Sequence, residues 1–509
     1  MAAVLTAPLA AGLAAGFTAG PVVGPALVWV ALLGPALCAL AVLLLRRRAV
    51  VLVADVVASS VVLLCGGALL AGVADGGAAV VTAGGLLRVD PLAGYLLVVV
   101  GAVALTATWG GLSPGRARSR RGGRYTTLVC LFLAAMVLAV VADDLGVTWV
   151  AVEGTTITTA FLVGFAGGRR AVEAAWKYVV LASVGVGIAF LGLVLLYAAT
   201  RAAGDPTLSW VRLVTDRPAV DPTVARMGLL LAALGFATKA GLAPMHAWLP
   251  DAHSQAPAPV SGLMSGVLLA VAFGAVLRIQ RLDAVLLDGA AVRTLLLVGG
   301  LLSLLVAAVL VVTQRDLKRM LAYSSIEHMG LVAVAAAVGN RLALAAMLVH
   351  LLVHGLAKAS TFVMAGRVLA VEGTTAIADV HGLVRSAPRI GIPFLAGAVT
   401  LLGLPPSGLF LTEAALVVAG LRSGYGWAMA IVLVLLLVVF VGMGRAVIAM
   451  TLGAPAPAGS SEPAAAATEA LSAPLAPVAL ALAAACLLAL ATPLAGTLDS
   501  VVAVIGGAP

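Results

Sequence analysis

Apolar runs of about 20 residues recur from one end of the chain to the other, and short polar loops separate them. Each run is long enough to cross roughly 30 Å of hydrocarbon as a helix. The pattern predicts spans near 21–45, 50–73, 89–112, 126–143, 144–166, 173–198, 225–247, 257–280, 291–314, 318–338, 343–370, 390–420, 426–451 and 475–505. The expected architecture is therefore an all-α, polytopic membrane protein of about fourteen transmembrane helices. Residues 1–20 are apolar and lack the basic start of a signal peptide, so they read as a leader to the first span or an extra half-helix. The stretch "GAPAPAGSSEPAAAATEALSAP" near 453–474 is a low-complexity linker.

Composition agrees with the pattern. Of 509 residues, 63% are hydrophobic and only 10% are charged, too few to cover the surface of a soluble core. The net charge of +9 would suggest nucleic acid in a soluble protein. Here the arginines cluster in short loops, which makes them a topology signal instead. "LRRRAV" follows the first span, "RARSRRGGR" the third, Arg169 and Arg170 the fifth, and "QRDLKR" the ninth, while Arg385 and Arg389 precede the twelfth. The alternate loops balance arginine with aspartate, as in Arg212, Asp216, Arg217 and Asp221. Positive-inside then places both termini outside the cell membrane. Cys38, Cys65, Cys130 and Cys486 are each isolated in apolar runs, with no CxxC, so no iron–sulfur, haem, zinc or disulfide framework is expected. Any electron chemistry must belong to another subunit, and no cofactor is assigned to this chain.

Against this apolar background several ionisable residues fall inside predicted spans. Glu153 lies in "VTWVAVEGTTITTAF", Lys239 in "LGFATKAGLAP", His328 in "LAYSSIEHMGLV" and Glu413 in "GLPPSGLFLTEAALV". "VHLLVHGLAKASTF" adds His350, His354 and Lys358. Inserting one such group at mid-membrane costs about 2.5–3.5 kcal/mol. Five of them unpaired would cost on the order of 10–15 kcal/mol, comparable to a domain's whole stability. A row of such groups for structural pairing alone is uneconomical, because hydrophobic replacements are often at least as stable. Rows of this kind are typical of proton relays. Lysine suits a relay because desolvation favours the neutral amine and a nearby carboxylate favours the ammonium, so a moving neighbour can load or unload the proton. His350, His354 and Lys358 are spaced i, i+4, i+8 on one helix face. Two histidines one turn apart could also ligate zinc, but no glutamate completes an HExxH and a charged lysine is a poor ligand, so no metal site is expected.

Proline and glycine supply a second signal. "GLAPMHAWLP" interrupts the seventh span and "GLPPSG" the twelfth, each beside an ionisable residue. Broken helices persist at membrane depth only where they line protein or water. Corresponding breaks in two halves point to inverted-repeat transporters.

These motifs resemble a known family. "KAGLAPMHAWLPDAHSQAPAPVSGLMSGVLL", "DLKRMLAYSSIEHMGL", "HGLAKASTFVMAG" and "GLPPSGLFLTE" are similar to the proton-conducting, antiporter-like membrane subunits of respiratory complex I, energy-converting hydrogenases and Mrp antiporters. "AYSSIEHMG", "HSQAPAPVS" and the glutamate after GLPPSG look closest to the component F type of hydrogenase-four and formate hydrogenlyase complexes. The resemblance covers roughly residues 85–450. It implies N-terminal helices over 1–125, two inverted five-helix repeats over 126–281 and 291–451, and a linker with a C-terminal helix over 452–509. It also implies a hydrated polar axis. On that axis Glu153 would tune the protonation of Lys239, His328, His350, His354 and Lys358 would connect the halves, and Glu413 would exchange protons with the outside. One departure stands out. Relatives often carry a lysine or histidine in the eighth helix near the position of Ala270, so His246, His253 or water would have to replace it as proton input. The implied role is a proton-translocating subunit of a membrane-bound oxidoreductase, partnered by other membrane and soluble redox subunits. An Mrp-type cation/proton antiporter subunit, an inorganic-carbon uptake subunit and a non-pumping scaffold are the alternatives.

Overall fold

The computed structural model describes residues 23–454 apart from 75, 120, 202, 203 and 205, together with 468, 470, 473–487 and 495–506. The expected leader at 1–20 and most of the linker at 453–474 lie outside the described residues.

Helix dominates, as the apolar runs require. We number the helices by span: α1 Val23–Leu45, α2 Arg48–Val73, α3 Pro91–Gly110, α4 Gly122–Val141, α5 Leu145–Val163 and α6 Arg169–Thr200. The seventh span is split into α7a Pro222–Lys239 and α7b Trp248–Gln255, and α8 runs Ala258–Leu286. Then follow α9 Ala290–Val311, α10 Leu317–Val338 and α11 Arg341–Glu372. The twelfth span is likewise split, into α12a Pro388–Leu401 and α12b Gly408–Arg422, before α13 Gly426–Leu452. The last span is present as α14a Ala476–Leu487 and α14b Ala495–Ile505. Among the described residues eleven helices are long and apolar enough to cross a membrane. A hairpin unforeseen in the sequence, β1 Val80–Thr82 pairing antiparallel with β2 Leu87–Val89, closes the loop before α3.

Burial sorts these helices into an interior and a rim. The apolar windows of α8 and α10 are 100% and 94% buried, whereas those of α1 and α13 are 28% and 22% buried. A helix that is buried all round has no lipid-facing side, so every polar residue it carries must be accommodated by protein. α10 therefore brings Ser324, Ser325, Glu327 and His328 inside together. α8 contains a π-helical turn at Met264–Leu268, where Ser265 bonds Ser325 of α10 at 2.7 Å. Gly266 of that turn meets Gly355 of α11 so closely that a Cβ at Gly266 would lie 2.8 Å from the Gly355 carbonyl oxygen. Away from this centre, Arg278 of α8 pairs with the α3 N-cap Asp90 at 3.1 Å, its guanidinium 4.1 Å from the Trp210 ring centroid.

The two helix breaks share their backbone bonding. Ala240 and Leu242 donate to the carbonyls of Phe236 and Ala237, and Leu402 and Leu404 donate to those of Ala398 and Val399. Gly241 at φ +77° and Gly403 at φ +61° turn the chain at matching places. That left-handed conformation is open to glycine without steric cost. A proline two or three residues later lacks the donor that would resume the helix. The helix starts match as well. Asp144 caps α5 and bridges Ser209, and Asp316 caps α10 and bridges Ala376.

Candidate functional site

In the first half the site is built on α5, α6 and the end of α7a. Lys239 is the last residue of α7a and has no solvent exposure. Its ammonium donates to the Tyr178 hydroxyl of α6 at 2.7 Å and lies 4.8 Å from that ring's centroid. The Tyr178 oxygen lies 2.6 Å from Thr159 Oγ1 and also interacts with the Thr156 hydroxyl. Glu153 is only half-buried and accepts from Thr156 at 3.2 Å and from Ser183 at 3.1 Å.

The family resemblance implies that Glu153 lies near enough to tune Lys239. Among the described residues no ion pair joins them. Glu153 faces a groove of about 540 Å³ between α5 and α6, lined also by Thr156 and Ser183. The two charges still feel each other, but the hydroxyls of Tyr178 and Thr156 stand between them. The sequence offered no signal for Tyr178, a neutral residue in an apolar run.

The break after Lys239 is held by Ser303 of α9, whose hydroxyl accepts from the Ala243 amide at 2.9 Å. Trp248, first in α7b, donates to the Thr238 carbonyl at 3.0 Å and places its ring 6.0 Å from the Lys239 ammonium. Of the two histidines proposed as inputs, His246 sits half-buried in the break itself. His253 is wholly buried, stacks on Phe362 of α11 at 5.4 Å, and has neither ring nitrogen hydrogen-bonded. It lies within the electrostatic reach of Lys318 and Lys358. Lys318 in turn donates to the carbonyls of Ser254 at 3.0 Å and Ala256 at 2.5 Å. It borders a cavity of about 550 Å³ shared with Arg367. Ala270, on the fully buried α8, has 3% exposure.

The second half gathers the remaining candidates on α10, α11 and α12b. Lys358 donates to the Leu321 carbonyl of α10 at 2.7 Å. One and two turns along the same face, the rings of His354 and His350 come 4.9 and 5.2 Å from His328. His328 Nδ1 is 3.2 Å from His350 Nε2, and His350 Nδ1 is 2.9 Å from Thr412 Oγ1, the residue before Glu413. No three such side chains among the described residues are grouped to hold a metal. Glu413 packs over the second break: a Cβ on Gly403 would fall onto its carboxylate, 3.0 Å from Cδ.

Glu327 was overlooked in the sequence. Adjacent helical residues point about 100° apart, so on a helix with a lipid-facing side Glu327 and His328 would not both face the interior. Because α10 is surrounded by protein, both do. Glu327 interacts electrostatically with Lys358 and Glu413, and shares with Glu413 a cavity of about 160 Å³.

The chain is thus a polytopic helical bundle with buried lysines, histidines and carboxylates gathered about two broken helices. This chain belongs to the family described as NADH:quinone oxidoreductase/Mrp antiporter, transmembrane, which it matches over residues 142–440. It is 37% identical over 292 residues to a hydrogenase-4 component F homolog of Methylacidiphilum infernorum, a match covering 57% of this chain and 61% of that protein. It is 34% identical over 342 residues to an NADH-quinone oxidoreductase subunit N of Desulforudis audaxviator, covering 66% and 67%. The fold is also that of a chain in the Mrp complex of Dietzia sp. DQ12-45-1b, with TM-score 0.83, 21% identity, and 95% and 97% of the two chains covered. The chain thus spans about three fifths to two thirds of its relatives' lengths in these sequence matches.

Proposed function

We propose that this chain is the proton-translocating membrane subunit of a redox-driven complex of the hydrogenase or NADH-dehydrogenase type, set in the cell membrane with both termini outside. The observation that carries the proposal is the set of buried ionisable groups between the two helix breaks, bonded in two clusters, Lys239–Tyr178–Thr159 in the first half and His328–His350–Thr412 in the second. In the first half, Glu153, Thr156, Tyr178 and Lys239 form a switch. Movement of charge near Glu153 alters how well Lys239 holds its proton. Driving one charge against 100 mV needs about 2.3 kcal/mol, within reach of a change in one buried pairing. His253, Lys358, His354, His328 and His350 then link Lys239 to Thr412 and Glu413, with Glu327 as a second carboxylate beside Lys358. Glu413 exchanges protons with the outside. The matching breaks support two inverted repeats, 126–281 and 291–451, in a chain of about fourteen spans. With Ala270 in place of a base, the cavity at Lys318 and the buried His253 supply the input.

Partners would provide the redox chemistry. The family also includes Mrp antiporters, so the second reading is a cation/proton antiporter subunit. Proton transport that requires sodium and no electron donor would favour it. The test of the first reading is Glu413→Gln, which keeps the side-chain volume and removes the exchangeable acid. Redox-driven proton release should be lost while the complex assembles normally. Undiminished release would remove Glu413 from the path.

A further inference from the structure

Far from this axis, a cavity of about 500 Å³ opens where α1 turns into α2 beside the start of α4. That volume is within the roughly 300–1,000 Å³ of small-molecule sites. Arg46, Arg48 and Arg124 line it, one from the turn, one from the first residue of α2 and one from the first turn of α4. Val42 and Leu43 of α1 and Val51 of α2 form its apolar side, and Ser119 adds a hydroxyl. Among the described residues none of the three arginines has a carboxylate partner. The contrast with the neighbouring Arg116 is direct, since it pairs with the buried Asp55 at 3.1 Å.

We infer that this cavity binds the phosphate headgroup of an anionic phospholipid. Three guanidiniums converging on one space can bond a phosphate from several sides, and arginine's planar fork suits phosphate oxygens. Two features favour a lipid over a soluble anion. The arginines end helices of membrane-spanning length, so the cavity lies at headgroup level. Its apolar wall also continues into the exposed leucines 37, 40, 44 and 45 of α1, along which acyl chains can lie.

The test uses the full-length chain purified in detergent and native mass spectrometry. It is titrated with phosphatidylglycerol or with phosphatidylcholine of the same acyl chains, with inorganic phosphate as competitor. At about fivefold per arginine, the preference for phosphatidylglycerol should be on the order of 100-fold. Arg46→Gln/Arg48→Gln/Arg124→Gln should abolish it, and Arg170→Gln/Arg385→Gln/Arg389→Gln should not. Because removing loop arginines can disturb insertion, Gly123→Leu provides a variant of unchanged charge. A Cβ there would sit 3.7 Å from Val42 and 4.0 Å from Val51, so a side chain can start there without a clash and narrow the cavity. It too should lose the preference. Equal binding of the two lipids, or equal loss in the control triple variant, would overturn the site. Displacement of phosphatidylglycerol by millimolar phosphate would overturn its assignment to lipid.

Discussion

Replacing Tyr178 by phenylalanine removes one oxygen from the centre of the proposed switch. That oxygen receives the Lys239 proton donor at 2.7 Å and lies 2.6 Å from Thr159 Oγ1. The ring itself should stay, because it packs edge-on against Trp248 with centroids 5.1 Å apart. A hydrogen bond to a charged group is worth about 1.5–3 kcal/mol, and each 1.4 kcal/mol is tenfold in a rate or an equilibrium. If the proton passes through Lys239, its transfer should slow by about 10- to 150-fold in Tyr178→Phe. Stability should fall by about 1.5–3 kcal/mol, the worth of the same hydrogen bond to a charged group. The assay is proton movement into vesicles holding the native complex, measured with electron transfer in the same sample and with thermal melting as the control for folding. Transport at the wild-type rate in a normally folded Tyr178→Phe complex would refute the reasoning.

Two further substitutions test the second half. Glu327→Gln should slow proton transport at least tenfold while the complex still assembles, because it removes the exchangeable acid within electrostatic reach of both Lys358 and Glu413; unchanged transport would return Glu327 to a structural role. Gly403→Ala combines a disfavoured φ of +61° with a Cβ falling on the Glu413 carboxylate, so it should cost at least about 1–3 kcal/mol in thermal stability and impair transport; Gly424→Ala, at φ +81° but with nothing within 4 Å of its Cβ, should lower stability alone.

Much of the fold was legible because the bilayer imposes it. Twenty-residue apolar runs have few other uses, and the Gly–Pro interruptions at Gly241 and Gly403 pointed to breaks. All the ionisable members of the site except Glu327 were equally visible, since Lys239 or Glu413 in an apolar run contradicts its surroundings. What stayed hidden depends on which helix faces which. Tyr178 and Thr412 connect the charged groups, yet neither tyrosine nor threonine is out of place in a membrane helix. Glu327 was masked because periodicity along one helix assumes a lipid-facing side, and α10 has none. The link between Glu153 and Lys239 was hidden too. Both residues belong to one polar cluster, but the path between them runs through α6, which the order of residues along the chain does not reveal.

The central claim is that protons cross this chain through Lys239. The most direct measurement compares proton translocation with electron transfer in vesicles containing the native complex carrying Lys239→Met. A methionine fills the buried site without a proton to give. The expected result is loss of proton translocation in complexes that retain all their subunits. Translocation per electron equal to wild type would contradict the claim.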